Sequence, residues 1–342
     1  MMIAVRNGIG RWVRSGLPAA IALGVFVGRA DGVPPDLLLY SGDPVPDNVE
    51  RMYAGGLDYL VRSQTDSGCW ADSNGSQPGV CGLVVLAMLA KGDDPDTGPY
   101  SAQIGKAIGF ILSCADQSTG YIGSTMYNHG FAALALAEAY GVVDNPRIGP
   151  ALRQAVDLIL SSQKRNPHGG WRYDPQRNDF DLTVSGAQFV ALMAARNAGI
   201  AVPEEAVQRA LDLFRRNQNP SGGFGYTNPS GVTPPCSAIG TLVFALVKQR
   251  KSREFKSGLR YLEQTGNVSD SRPFYYRYYA AQAIFQGDAG LWRKWNIENA
   301  AALESLQQND GRWTGSNGDT FSTAAALLSL ALNYRYLPIY ER

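Results

Sequence analysis

Two carboxylates ahead of an apolar segment are the residues of this chain best suited to chemistry. Asp179 and Asp181 lie in residues 178–183. A carboxylic acid can donate a proton if burial and a neighbouring charge keep it neutral until it reacts. A second carboxylate two residues away could supply such a charge. The alternative is an N-cap, because an Asp before a helix accepts first-turn N–H groups and is stabilised in its charged form.

Two histidines are the other groups that exchange protons near neutral pH. His129 lies at the start of one apolar segment, and Asp181 lies just before the next apolar segment along the chain. Packed helix axes lie about 8–10 Å apart, so His129 would reach Asp181 or a ligand between them. A histidine hydrogen-bonded within its own turn is the alternative. His168 lies in a Gly-rich turn and is expected to be structural.

A set of aromatic residues could bind a ligand. Their π-faces attract cations and can also stack on sugar rings. Packing between helices is the alternative. The set comprises Tyr127, Phe274, Tyr275, Tyr276, Tyr278 and Tyr279.

Charge and cysteine content narrow the function classes. The net charge of +1 provides no electrostatic basis for binding nucleic acid. The basic run at residues 248–253 is expected to be a solvated helix end, with peripheral contact to anionic lipid as the alternative. Cys69, Cys81, Cys114 and Cys236 lack metal-ligand spacing. Buried free thiols are favoured, and disulfides are the alternative.

The elements that must position these residues recur six times, at a spacing of about 50 residues. Each copy runs from an amphipathic segment through a Gln and a Gly-rich turn to an aromatic residue and an apolar segment. Degraded copies occupy residues 107–121 and 258–275. The four clear copies pair Gln64 with Trp70, Gln163 with Trp171, Gln218 with Phe224, and Gln308 with Trp313.

The alternation of segments predicts two rings of helices. The first helix of each copy has one apolar stripe and therefore one wet side. The second is apolar nearly all round and must be buried on every side. Six inner and six outer helices, an all-α (α/α)6 toroid over residues 50–342, satisfy both demands. A solenoid is disfavoured because its terminal copies would need polar caps.

These repeats resemble the Gln–Trp repeats of squalene–hopene and oxidosqualene cyclases, and are similar to those of protein prenyltransferase β subunits. The resemblance implies a toroid whose central cavity accepts an isoprenoid. Residues 178–183 resemble the Asp-x-Asp-Asp motif of class II terpene cyclases, in which the middle Asp protonates an alkene or epoxide. Asp179 and Asp181 match the first and middle acids, whereas Leu182 replaces the third.

The resemblance also bears on metals. Protein prenyltransferases bind zinc through an Asp-x-Cys pair on the fifth inner helix and a His on the sixth. The matching places here hold Arg272 with Phe274, and Ser322. Without thiolate or imidazole at these places, we expect no zinc site and no cofactor.

The N-terminus is typical of a secretory signal peptide. Residues 1–30 combine a basic region, an apolar core at residues 17–27 and a small-x-small site ending at Ala30. The apolar core is too short to span a bilayer, so cleavage and export to the periplasm, envelope or medium are expected. Residues 31–49 would form an extended lead-in.

The sequence therefore predicts an exported toroid that binds a hydrophobic isoprenoid or lipid. The favoured reaction is acid-initiated polyprenoid cyclisation, with Asp181 as the acid and His129 and the aromatic set shaping the pocket. One alternative is a non-catalytic lipid-binding or scaffold toroid of the envelope, and another is a glycan-active (α/α)6 enzyme. A deep apolar cavity favours an isoprenoid, an open acidic cleft a glycan, and a filled ring a scaffold.

Overall fold

The computed structural model describes residues 44–72, 75–266 and 273–340. The predicted signal peptide, most of the predicted lead-in and Arg272 lie outside these ranges. The described residues form a two-residue antiparallel hairpin, β1 (Ala71–Asp72) and β2 (Gly75–Ser76), and short 3-10 turns at Ala331–Asn333 and Pro338–Tyr340. They also form twelve α-helices: α1 (Asp47–Ser63), α2 (Pro78–Leu89), α3 (Ser101–Ser113), α4 (Met126–Ala139), α5 (Ile148–Arg165), α6 (Leu182–Asn197), α7 (Glu204–Arg216), α8 (Pro234–Leu246), α9 (Arg253–Thr265), α10 (Pro273–Phe285), α11 (Ala289–Leu306) and α12 (Asp319–Leu330).

The even-numbered helices form a closed inner ring. Each packs against the next, from α2 through α4, α6, α8 and α10 to α12, and α12 packs back against α2. These helices are buried nearly all round, as their composition requires. An outer helix buries one stripe, which in α7 is Val207, Ala210, Leu211 and Phe214. The predicted (α/α)6 toroid is confirmed. Its first helix begins at Asp47, three residues before the predicted boundary.

The repeated glutamines join neighbouring copies. Gln64 Nε2 donates to the carbonyl of Gly68 in its own turn and to that of Gln103 in the next outer helix, α3. Gln163 and Gln218 make the equivalent pairs of bonds, to Gly169 and Ala206 and to Gly222 and Glu254.

The last copy corrects one sequence prediction. Gln307, not Gln308, donates to the carbonyls of Gly311 and of Met52 in α1, both at 2.9 Å. Gln308 is exposed, and its side chain donates to the carbonyl of Leu306, two residues earlier. Gln307 has an extended backbone, and successive side chains of an extended chain point in opposite directions. The adjacent glutamine therefore faces away from the turn, and Gln307 joins the last copy to the first.

The tryptophans hold each turn against its own outer helix. The indole Nε1 atoms of Trp70, Trp171 and Trp313 donate at 2.8–2.9 Å to carbonyls of α1, α5 and α11. All three rings are buried. Phe224 fills the same place in another copy without a donor.

The C-terminal segment covers the other end of the inner ring. Leu337, Ile339 and Tyr340 are buried, and Pro338–Tyr340 packs against α6. The carbonyl of Tyr340 accepts a bond from Gln286, just beyond the end of α10. A cavity inside the ring is therefore accessible from the N-terminal ends of the inner helices. Within the described ranges, none of the helices combines the length and apolar character that a bilayer span requires.

Candidate functional site

A cavity of about 460 Å³ lies at the N-terminal ends of α2, α4, α10 and α12. Five aromatic residues line it together with aliphatic, hydroxyl and amide side chains. The lining residues, all within the described ranges, include no Asp, Glu, Lys, Arg or His. They are Gln77, Gly79, Val80, Leu83, Ser124, Thr125, Tyr127, Asn128, Phe131, Tyr173, Tyr275, Asn317 and Phe321.

Asp181 lies behind this cavity and does not line it. Its side chain is completely buried, and Oδ1 accepts bonds of 2.7 Å from the Thr183 hydroxyl and the Val184 N–H. Oδ2 lies 3.6 Å from Arg172 Nη1 and makes no hydrogen bond within the described part of the chain. Burial raises the pKa of Asp181, against the opposing effects of these bonds and of Arg172. The carboxyl is therefore easier to protonate than an ordinary Asp.

The position of Asp181 recurs in the repeat. Thr125 and Thr233 have the same extended backbone, and their hydroxyls cap α4 and α8 as Asp181 caps α6. The N-cap interpretation therefore describes the geometry. It does not conflict with a proton-donating role, which depends on access to a ligand.

Asp179 is half-buried and ion-paired. Its carboxylate accepts two bonds from Arg177, at 2.8 and 2.9 Å, and lies 3.7 Å from Arg172. The bond from Arg177 lowers the pKa of Asp179 to about 2. Asp179 and Asp181 thus share Arg172, and Asp179 can influence Asp181 by neutralising part of that charge.

His129 belongs to the repeat and not to a site shared with Asp181. Nδ1 accepts the Ile122 N–H at 3.1 Å, and Nε2 lies 3.0 Å from the carbonyl of Ala155, to which it must donate. The predicted approach of His129 to Asp181 is wrong, because the ring faces α5. Burial lowers the pKa of His129 to about 4, which keeps it neutral.

Other copies place different acceptors where His129 lies. Ser185, Ser237 and Thr323 accept the backbone N–H of Trp171, Phe224 and Trp313, respectively. Each copy requires a side chain that accepts a hydrogen bond from a backbone N–H of the turn, and serine, threonine and histidine can all do so. This recurrence was readable in the sequence only after the copies had been aligned through their inner helices.

The structure separates the predicted aromatic set. Tyr127 and Tyr275 line the cavity, and Phe274 borders a small niche beside it. Tyr278 and Tyr279 lie buried behind them, and the Tyr278 ring meets that of Phe131 at 6.2 Å.

Tyr276 was wrongly predicted to bind a ligand. Its hydroxyl donates to the carbonyl of Gly266, just beyond outer helix α9. Adjacent residues of a helix point about 100° apart, so consecutive tyrosines cannot all face the cavity.

Several lining residues were missed. Phe131 follows Tyr127 by four residues in α4 and therefore shares its face, which is a signal available in the sequence. Asn128 donates to the side-chain oxygen of Gln77 and accepts the Gly79 N–H, which joins α4 to α2. No local pattern marks these amides as lining residues.

None of the four cysteines, all of which lie in the described ranges, lines the cavity. All four cysteines are free, and Cys114 alone is partly exposed. The Cys69 sulfur lies 2.9–3.3 Å from the hydroxyls of Ser76, Ser67 and Thr65. In the described ranges, no group of three or more His, Cys, Asp or Glu side chains is arranged to hold a metal ion.

Comparison with known proteins supports the fold class. No protein-family model matches the chain. A variant of the type II terpene cyclase MstE from Scytonema, in complex with geranylgeranyl dihydroxybenzoate, superposes with a TM-score of 0.59 at 16% identity, covering 85% of this chain and 98% of that one. An α-1,6-mannanase from Salegentibacter sp. superposes with a TM-score of 0.64 at 9% identity, covering 84% and 99%. A protein from Actinoplanes gives a TM-score of 0.59 at 17% identity, covering 84% and 99%. The protein is thus an α/α toroid of the architecture that terpene cyclases share with mannanases.

Proposed function

We propose that the protein binds an uncharged isoprenoid in its central cavity. The observation that carries the proposal is the lining, which combines five aromatic rings with aliphatic groups and has no charged side chain among the described residues. The volume of about 460 Å³ lies within the usual range for small-molecule sites. A pocket without cations is poorly suited to a diphosphate, so a neutral terpenoid is the best match.

A glycan-cleaving function is less well supported. The mannanase likeness concerns the fold, and hydrolysis of a glycosidic bond generally uses two carboxylates that flank it. None of the described lining residues is a carboxylate. Asp181 lies behind Tyr127 and Thr183. Asp72 accepts the backbone N–H of the lining residue Phe321 but does not itself line the cavity.

Acid-initiated cyclisation is the second candidate, and a chain of hydroxyls favours it. Tyr127 donates to Thr183 at 2.5 Å, and Thr183 donates to Asp181 at 2.7 Å. When Asp181 is protonated, the chain can reverse, so that its proton moves to Thr183, that of Thr183 to Tyr127, and that of Tyr127 to a ligand double bond. The π electrons form the new C–H bond, and a carbocation and the Asp181 carboxylate remain. The cation later loses a proton, which restores the acid.

Binding is tested by mass spectrometry of lipid that co-purifies with the native protein and by titration with neutral polyprenoids. Val80 is the one residue of α2 that is not fully buried, and it lines the cavity. We expect Val80→Phe to fill the cavity and weaken binding at least tenfold. Val142→Phe, at an exposed site in the loop after α4, is the matched control. Equal binding by both variants would show that the ligand lies elsewhere.

Turnover is tested separately, with squalene and shorter polyprenoids as substrates and gas chromatography of the products. The cyclisation candidate requires that Asp181→Asn and Tyr127→Phe both abolish product. Binding without product by the parent protein would leave a lipid-binding toroid. Export from the cytoplasm, which would place the protein beside envelope lipids, is part of this proposal.

A further inference from the structure

Three tyrosine hydroxyls meet at the inner wall of the cavity. The rings of Tyr127 and Tyr275 meet edge-on at 6.4 Å, and those of Tyr275 and Tyr279 at 5.1 Å. Tyr127 and Tyr275 line the cavity, whereas Tyr279 lies directly behind. The hydroxyls of Tyr275 and Tyr279 are buried and make no hydrogen bond of good geometry within the described ranges. We call these three residues the tyrosine cluster.

The direction of the bonds defines what Tyr127 can do. The single proton of Thr183 goes to the Asp181 carboxylate, so Thr183 must accept from Tyr127. The single proton of Tyr127 is thereby used, and its oxygen can only accept a further bond. A ligand atom that bonds to Tyr127 must therefore carry a hydrogen.

The hydroxyl of Tyr275 supplies the complementary group. It lies near the hydroxyls of Tyr127 and Tyr279 but makes no hydrogen bond of good geometry within the described ranges. A buried hydroxyl without a well-formed bond is destabilising, and Tyr275 is nine-tenths buried in the wall of the cavity. It can donate to an oxygen that enters the cavity. An acceptor-only oxygen and a free donor, side by side, match an alcohol or a phenol, which donates one bond and accepts another.

We propose that the tyrosine cluster binds the hydroxyl group of the ligand, so that the preferred ligand is an isoprenoid alcohol or an isoprenoid phenol. This inference rests on the proposed function and names its ligand class. Burial raises the pKa of all three tyrosines, which keeps them protonated at neutral pH. With no charged lining residue in the described ranges, a carboxylate or phosphate in place of the hydroxyl would be desolvated without a counter-ion.

The test compares three probes of the same chain length: farnesol, farnesyl methyl ether and the hydrocarbon farnesene. Dissociation constants are measured by quenching of tryptophan fluorescence. We expect farnesol to bind about tenfold more tightly than farnesene, the effect of one or two hydrogen bonds. The methyl ether accepts but cannot donate, so it should lose the bond to Tyr127 and fall between the two.

Two variants in α10 locate the effect. Tyr275→Phe should reduce the preference for farnesol over farnesene to about twofold or less. Tyr276→Phe removes a neighbouring hydroxyl that faces α9, and it should retain the full preference. Circular dichroism establishes that both variants are folded.

The outcomes separate the two proposals. Equal affinity of the wild-type protein for farnesol and farnesene would overturn hydroxyl recognition and leave isoprenoid binding intact. Equal affinity for farnesol and its methyl ether would overturn the acceptor role of Tyr127. Failure of all three probes to bind would overturn the proposed function together with this inference. If Tyr275→Phe does not fold, the comparison of the three probes on the wild-type protein decides alone.

Discussion

At the scale of single residues, Asp181 combines a structural position with an unusual environment. It caps α6 where equivalent copies use threonine, and it is completely buried with one oxygen that makes no hydrogen bond in the described ranges. A threonine would cap the helix without a buried carboxyl. The carboxyl therefore has a cost that capping alone does not explain, and this is the reason for testing it as an acid.

Asp181→Asn keeps the helix cap and removes the ionisable carboxyl, because Asn caps a helix as well as Asp does. The raised pKa of Asp181 means that the folded state holds the proton more tightly than the unfolded state. Protonated Asp181 therefore stabilises the fold at pH values below its unfolded-state pKa of about 3.9. This stabilisation is lost as the pH rises through the higher pKa of Asp181 in the folded state. We expect Asp181→Asn to melt at the same or a higher temperature than the parent at pH 7, and Asp181→Ala to lose about 0.5–2 kcal/mol. Thermal melts check both, and clear destabilisation by Asn would contradict the sign.

His129 should make the protein sensitive to acid. Its pKa is lowered from 6.5 to about 4, so the unfolded state binds a proton first as pH falls. The contribution of neutral His129 to the free energy of unfolding is fully present above about pH 6.5. It falls by at most about 3 kcal/mol as the pH is lowered to about 4.

The repeat itself suggests the test, because Ser185 and Ser237 fill the same position. We expect His129→Ser to be less stable at pH 7, since the carbonyl of Ala155 loses its donor, and to lose less stability between pH 6.5 and 4. Urea unfolding at several pH values measures the difference, in which carboxylates common to both proteins cancel. Parallel pH profiles would show that His129 is not the group that titrates.

At the scale of elements, the turns connect helices within and between copies. The Gln side chains join a turn to the next outer helix, and the Trp indoles join it to its own. The two types of bond can be tested separately.

Two adjacent glutamines provide a matched pair. Gln307→Ala removes the bond to Met52 of α1 and the bond to Gly311 within the turn, and we expect a loss of about 1–3 kcal/mol. Gln308→Ala alters an exposed side chain, and its effect should be within about 0.5 kcal/mol. Denaturant unfolding measures both. Equal effects would mean that the bonds of Gln307 do not stabilise the ring closure.

Trp171 should be the stronger attachment, because its ring is buried as well as hydrogen-bonded. We expect Trp171→Ala to cost about 3–5 kcal/mol. Trp171→Phe retains most of the packing but loses the donor to Ile159, and it should cost less. If the Ala variant melts like the parent, this turn does not hold the toroid together.

At the scale of the whole molecule, closure of the ring produces the cavity. The six inner helices pack into the ring, the C-terminal segment covers one end, and the N-terminal ends of α2, α4, α10 and α12 line the cavity. The lining residues come from positions up to 244 residues apart, Gln77 and Phe321. Ligand selection is therefore a property of the closed toroid and of no single copy.

Export is the prediction that concerns the chain as a whole. The pattern of residues 1–30 is expected to direct secretion and to be cleaved after Ala30, so that the mature protein begins near Asp31. N-terminal sequencing of protein from the envelope fraction measures this directly. Recovery of Met1 or Met2 at the N-terminus would show that the segment is retained.

The sequence by itself determined the elements and their arrangement in two rings. The burial of a helix can be predicted from its own sequence, because an apolar stripe indicates an outer helix such as α7 and an all-apolar segment indicates an inner helix. The repeated Gln, Gly and Trp then indicated how the copies are joined. The choice between Gln307 and Gln308 was missed, because both fit the pattern and only the backbone at the end of α11 distinguishes them.

Only the tertiary structure decided which candidate side chains meet. Tyr127 stands between the cavity and Asp181 because α4 and α6 pack side by side, which brings its hydroxyl to Thr183, 56 residues further along the chain. His129 is directed toward Ala155 by the same packing, and Tyr276 is turned toward the outer ring. These outcomes depend on the rotation of each helix about its axis against its neighbours, and residues distant in the sequence set that rotation.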